Sequence, residues 1–245
     1  AELIKSLMAR IPGKVGVVYP TFEEYPNRRE KESVVAFVPS NKDFRYTADE
    51  LIAFFDGKQI EALLLINPDN PSGNFIPKEQ MLSLAEWCTS QNIRLVVDES
   101  FVDFSDNYAQ NTLLENDLLE RYPTMVVMKS ISKSYGVPGL RLGIMASADK
   151  ELIDATKKDV AIWNINSFAE FYMQIFGKYE GDYLKACEKF IAERNRFYTA
   201  LQQVKFLRVI PSQANYFLCE VTGKYTASEL TRILLEKANI LIKDC

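Results

Sequence analysis

Lys133 stands in the run TMVVMKSISKSYGVPGLRLG, residues 124–143, directly after an apolar stretch of the kind that forms a buried strand. Two hydroxyls precede it, at Ser130 and Ser132, and an arginine follows at Arg141. Pro138 and Gly139 bend the chain between them, so that Arg141 can return toward the strand end. Its planar guanidinium suits a phosphate, and the hydroxyls add donors. A lysine held beside a phosphate-bearing group can attack a carbonyl through its neutral amine and form an imine, which is Schiff-base chemistry. Taken alone, such a lysine is a solvated surface residue. The company it keeps is what distinguishes it.

Three more residues carry chemistry by type and place. Asp98 closes the run IRLVVDES, and ligands of open α/β sheets sit beyond the carboxyl ends of the strands. A carboxylate there can hold a metal or pair with a protonated ring nitrogen. Apolar residues followed by Asp-Glu also describe a Walker B strand, but the GxxxxGK[ST] phosphate loop that such an enzyme requires is absent. A cap or turn carboxylate is the plain alternative. In NPDNPSG, residues 67–73, two prolines and a glycine force a rigid turn and flank the amide of Asn70. By itself this run is a turn; its information lies in sharing a sheet edge with Asp98. Phe22 follows Pro20-Thr21 at the end of another strand, where an aromatic can stack on a planar ring or simply cap the core.

The elements that must position these groups alternate. VGVVYP, SVVAFVP, ALLLINP, IRLVVDES and TMVVMKS are short, β-branched, nearly continuous apolar runs, as in strands buried on both faces. Helical patterns lie between most of them. Leu3, Ile4, Leu7, Met8 and Ile11 share one face, and Pro77 opens a helix with Met81, Leu84, Ala85 and Cys88 on one stripe. This predicts an α/β fold, a three-layer sandwich around a mostly parallel mixed sheet, over residues 1–160. Linking helices are expected over 161–204, the longest from Asp182 to about Val204. A small, incomplete α+β domain over 205–245 is expected to contain FLRVI, ANYFLCEV, a helix from about Thr226 and a last strand ILI. Both ends are abrupt, so the chain is expected to be part of a longer protein.

Composition narrows the chemistry. There is no histidine among the 245 residues, which removes Ser-His-Asp and Cys-His catalysis and argues against a zinc site. Proton transfer falls to Lys, Asp, Glu, Tyr or a cofactor. A net charge of -4 argues against a general nucleic-acid surface. No apolar run is long enough to cross a bilayer, and four scattered cysteines without a CxxC pair read as reduced thiols; the expected place is the cytoplasm.

Taken together, PTFEEY, NPDNPSG, VVDESFVDF, SISKSYGVPGLRLG and PSQANYFL resemble, in order and over nearly the whole chain, the pyridoxal 5'-phosphate aminotransferases of fold type I. The similarity is greatest to the branch of histidinol-phosphate aminotransferase and threonine-phosphate decarboxylase. The resemblance implies that Lys133 forms the imine with the cofactor and then shuttles protons. It implies that Asp98 pairs with the pyridine nitrogen, that Asn70 donates to the ring oxygen, and that Phe22 stacks on the ring. Ser130, Ser132 and Arg141 would bind the cofactor phosphate. It also implies a small amino acid or amino-phosphate substrate and a homodimer.

Three departures qualify what the resemblance implies. Phe101 stands where aminotransferases of the group carry a tyrosine, as in the decarboxylase branch. The loop that precedes the first helix in the family, and the arginine that grips the substrate carboxylate beyond ILIKDC, both lie outside the chain. The leading expectation is amino-group transfer between an amino acid and a 2-oxo acid. The alternatives are decarboxylation of a phosphorylated amino acid and an inactive fragment of such an enzyme.

Overall fold

The computed structural model describes residues 1–245. Six strands form one sheet: β1 (Lys14–Val18), β2 (Val34–Phe37), β3 (Ile60–Ile66), β4 (Arg94–Asp98), β5 (Met125–Ser130) and β6 (Gly143–Ala146). Their spatial order is β2-β1-β3-β4-β5-β6. All neighbours are parallel except β5 and β6, where Ser130 pairs with Gly143.

Strand alternation divides the apolar runs between two cores. Leu63, Leu65, Leu95, Val97, Met125 and Val127 face one side, where helices α2 (Ala48–Phe55) and α3 (Lys78–Ser90) add Leu51, Phe55, Met81, Leu84 and Cys88. Ala62, Leu64, Val96, Val126 and Met128 face the other, under Ile4, Leu7 and Met8 of helix α1 (Glu2–Met8), with Ile11 just beyond it. Because both faces are covered, the strands read as continuous apolar runs. The fold is thus the expected three-layer sandwich with a mostly parallel mixed sheet. The two edge strands are the exceptions to full burial, β2 being half-buried throughout and β6 exposed at Gly143 and Ile144.

Helix α4 (Asn116–Arg121) precedes β5, and the four-residue helix α5 (Ile131–Ser134) follows it. Helices α6 (Lys150–Asp159), α7 (Ser167–Phe176) and α8 (Glu180–Leu201) come after the sheet. α8 is tied back to it by Arg194, whose guanidinium donates to Phe104 O at 2.5 Å and to Asp106 at 2.6 Å. A two-stranded antiparallel sheet, β7 (Leu207–Val209) and β8 (Cys219–Val221), and helix α9 (Ala227–Ala238) complete a small α+β portion. Thr226 caps α9 in a capping box with Glu229.

Some expected elements differ. Pro77 is the cap residue before α3 rather than its first turn. The run ILI, residues 240–242, is not a strand: β7 and β8 pair only with each other, and Ile240 and Leu241 are exposed. A strand needs a ladder partner for its backbone groups, and none lies beside this run. The segment ANYFLCEV contributes only Cys219–Val221, and β6 was not anticipated.

Candidate active site

Asp98 ends β4 and is buried. Its Oδ1 accepts from the backbone N–H of Ser100 at 3.0 Å and from the Ser100 hydroxyl at 2.5 Å. This Asx-type turn carries the chain off the strand. Oδ2 accepts from the Tyr25 hydroxyl at 2.8 Å. Burial pushes the Asp98 carboxyl up from its ordinary value, while the Ser100 and Tyr25 donors pull it back. All of these donors are neutral. Lys129, one residue beyond the β5 partner of Asp98, is engaged elsewhere, 2.9 Å from Asp103 and 4.0 Å from Glu99. The chain's amino terminus acts on it only through space, and a buried carboxylate whose hydrogen-bond donors are all neutral is one whose charge a paired cation would stabilise.

The turn bearing Asn70 leaves β3 beside Asp98, with Asn67 N–H donating to Asp98 O at 2.9 Å. Asn67 closes the loop by exchanging both hydrogen bonds with the backbone of Ile76, each at 2.9 Å. Inside it, Asp69 accepts from the N–H and hydroxyl of Ser72. These bonds run through residues 67, 69, 72 and 76, leaving the half-buried Asn70 amide outside the network. Phe22 follows β1 at the same edge, is 39% exposed, and meets Tyr25 edge-on at 6.4 Å. Tyr25 thus links the aromatic to the carboxylate.

Ser130 ends β5, and its N–H donates to the Ser100 hydroxyl at 2.8 Å, which joins the β4 and β5 corners. It is the cap residue of α5, yet its side chain makes no cap bond and stays free. Ser132 is buried, with its hydroxyl 3.4 Å from Leu142 O. Lys133 lies on α5 and is exposed. Its side chain is therefore solvated, unlike the desolvated lysine that a Schiff-base site favours. Arg141 sits in the left-handed region (φ 60°) two residues before the Gly143 partner of Ser130, and donates to Pro138 O at 3.1 Å. The sheet edge therefore gathers Asp98, Asn70, Phe22, Ser130 and Arg141, with Lys133 on the next turn.

A recess of about 170 Å³ lies elsewhere, between α8 and residues 211–217, lined by Arg45, Arg194, Tyr198 and Phe217. None of the expected site residues line it.

Residues 3–245 match the family described as aminotransferase class I and II. The chain belongs to that family. It is similar to the L-serine phosphate decarboxylase of Sulfurospirillum multivorans, with 32% identity over 94% of this chain and 59% of that protein. It is also similar to the CMP-5'-(3-aminopropyl)phosphonate synthase of Streptomyces rubellomurinus, with 32% identity over 100% of this chain and 38% of that protein. Among solved structures, a decarboxylase from Sulfurospirillum multivorans superposes with a TM-score of 0.88 at 32% identity, over 99% of this chain and 70% of that one. The chain thus spans between 38% and 59% of the length of these two curated relatives.

Pyridoxal 5'-phosphate is the cofactor of this aminotransferase family, and the donor set fits it. The buried carboxylate, without a charged hydrogen-bond partner, suits a protonated pyridine nitrogen, and the uncommitted Asn70 amide and Ser130 hydroxyl suit the ring oxygen and the phosphate.

Sequence reasoning missed two residues at the centre of this edge. Tyr25 lay inside PTFEEY and Ser100 inside VVDESF, but neither had been given a partner. Ser100 was recoverable, because a serine two residues after a strand-ending aspartate is an Asx-turn signal. The Tyr25 to Asp98 contact spans 73 residues and needed the sheet order.

Proposed function

We propose that the protein acts on a phosphorylated amino acid with pyridoxal 5'-phosphate, and that decarboxylation at Cα is its reaction. The observation that carries the cofactor role is Asp98, buried at the end of β4 with only neutral hydrogen-bond donors, next to the strand β5 that runs on into α5 and Lys133. When bound, the cofactor supplies an electron sink for the bond that breaks at Cα. Lys133 would anchor it through its amine and would carry a proton at Nζ. Asp98 would hold the proton on the pyridine nitrogen, with Tyr25 and Ser100 keeping Asp98 oriented, and Phe22 would cover the ring. Asn70 would donate to the ring oxygen. Ser130, Ser132 and Arg141 would bind the phosphate.

Decarboxylation is favoured over amino transfer by Phe101. A phenylalanine has no hydroxyl to offer the ring, and this one is buried with Ile66, Phe104 and Ala214. The similarity to decarboxylases of phosphorylated amino compounds points the same way. Three units are proposed: residues 1–160 for the cofactor, 161–204 as linking helices, and 205–245 as part of a smaller domain. We further propose a cytoplasmic homodimer. Its support is an apolar surface in which Trp163 is 86% and Phe168 81% exposed, more than an isolated surface ordinarily leaves in water.

Borohydride treatment of the cofactor-loaded protein is expected to fix a pyridoxyl phosphate group on Lys133, as read by peptide mass spectrometry. A label on another lysine, or none, overturns the reading. With O-phosphoserine or O-phosphothreonine, carbon dioxide release without conversion of the cofactor to its amine form is expected. Conversion without carbon dioxide makes the reaction amino transfer. Neither product, with Lys133 labelled, makes the chain a cofactor-binding fragment.

A further inference from the structure

Residues 212–216 lie directly on the turn that bears Asn70. Gln213 N–H donates to Gly73 O at 3.0 Å, and a Cβ on Gly73 would stand 2.1 Å from the Ser212 hydroxyl. Tyr216 is the last contact of this strap. Its hydroxyl donates to Asp69 O at 2.7 Å, across 147 residues of sequence. Its ring meets Phe101, on the loop after Asp98, edge-on at 5.1 Å and 87°. One side chain from the C-terminal portion therefore touches both loops of the candidate site, one by a hydrogen bond and one by its ring.

We propose that Tyr216 is a positioning residue: its hydroxyl fixes the Asp69 carbonyl, and through it the peptide that presents the Asn70 amide to the cofactor ring oxygen. Asn70 follows Asp69 directly, so the plane of the Asp69–Asn70 peptide sets where the Asn70 side chain begins. The prolines restrict the turn but supply no tether to the rest of the molecule; Tyr216 does. Burial first, and then the carboxylates of Asp69 and Asp98, hold its phenol in the protonated, donating form. The position opposite, Phe101, has no hydroxyl to compete for the same carbonyl. This inference rests on the proposed role of Asn70.

The test is the visible spectrum of the cofactor-loaded protein against pH. A donor on the ring oxygen draws off the negative charge that retains the proton shared with Lys133. Losing the donor therefore raises the pH at which the spectrum changes. Tyr216→Phe keeps the ring against Phe101 and deletes only the hydroxyl. It is expected to raise that proton affinity about two- to tenfold, roughly what one hydrogen bond contributes. Asn70→Ala is expected to shift it in the same direction, and the double variant no further than Asn70→Ala alone. Phe190→Leu, which loosens the same apolar cluster, is the packing control and should lower the melting temperature without moving the spectrum.

An unchanged spectrum in Tyr216→Phe, beside a shifted one in Asn70→Ala, overturns the proposal and leaves Tyr216 as packing. Additive shifts also overturn it, since Tyr216 then acts independently of Asn70. No shift in Asn70→Ala, with the borohydride label still on Lys133, removes the Asn70 reading instead. A Tyr216→Phe protein that melts like the parent but shifts like Asn70→Ala establishes the positioning role.

Discussion

At the scale of single residues, the chemistry of this edge depends on how few charges are left to Asp98. Tyr25→Phe removes a donor that holds its carboxyl down, so Asp98 protonates more readily and pairs less well with a pyridinium. Cofactor affinity is expected to fall about tenfold in a fluorescence titration, since hydrogen bonds to charged groups contribute about 1.5–3 kcal/mol. Ser100→Ala is expected to do at least as much, because Ser100 also joins β4 to β5 through Ser130. Asp69 gives a pH signature of a different kind. Burial raises its carboxyl to about 6 from the ordinary 3.8. Between those values the folded chain binds the proton and the unfolded chain releases it, so stability declines as pH rises through that window. The decline is on the order of 3 kcal/mol at most. Asp69→Asn cannot ionise, so the difference between its melting curve and the parent's should change between pH 4 and 6 and be flat above about 7. A constant difference across that range would show Asp69 to be solvated.

At the scale of elements, the turns matter more than the strands. The inner strands β1, β3, β4 and β5 were legible because each is a continuous apolar run covered on both faces. What the pattern could not show was where the turns send the chain. Gly73 illustrates this. It sits at φ 72°, where side chains are strained, and its missing Cβ is the space that Ser212 occupies. Gly73→Ala is expected to cost about 2 kcal/mol or more in denaturant unfolding, by combining a left-handed backbone with overpacking. Adding Ser212→Gly should recover only part of the packing share, because the Ser212 Cα would still stand 2.8 Å from the new Cβ. The helix ends were easier to read: Thr226 and Glu229 form a capping box from residues three apart, and Thr226→Ala is expected to cost about 1 kcal/mol. The run ILI was misread because strand propensity says nothing about whether a partner strand is present.

At the scale of the whole molecule, Trp163 and Phe168 are large apolar groups left mostly in water, and in the proposed homodimer a second copy of the chain covers them. Trp163→Ser with Phe168→Ser is expected to lower the sedimentation mass from dimer to monomer without lowering the melting temperature of the monomer. A parent protein already monomeric at high concentration would remove that reading.

Fold class and the order of motifs were determined by the sequence alone, which also singled out the residue types expected to carry chemistry at the strand ends. Each depends on local rules: apolar runs, proline and glycine in turns, and residue type at strand ends. The tertiary structure alone decided which groups share the site. Tyr25 reaches Asp98, Ser130 reaches Ser100 and Tyr216 reaches Asp69 because the parallel crossovers bring distant strand ends to one edge, and contacts between remote segments have no local period to betray them. The same edge leaves Lys133, the residue that first marked the sequence, exposed on the turn that follows β5.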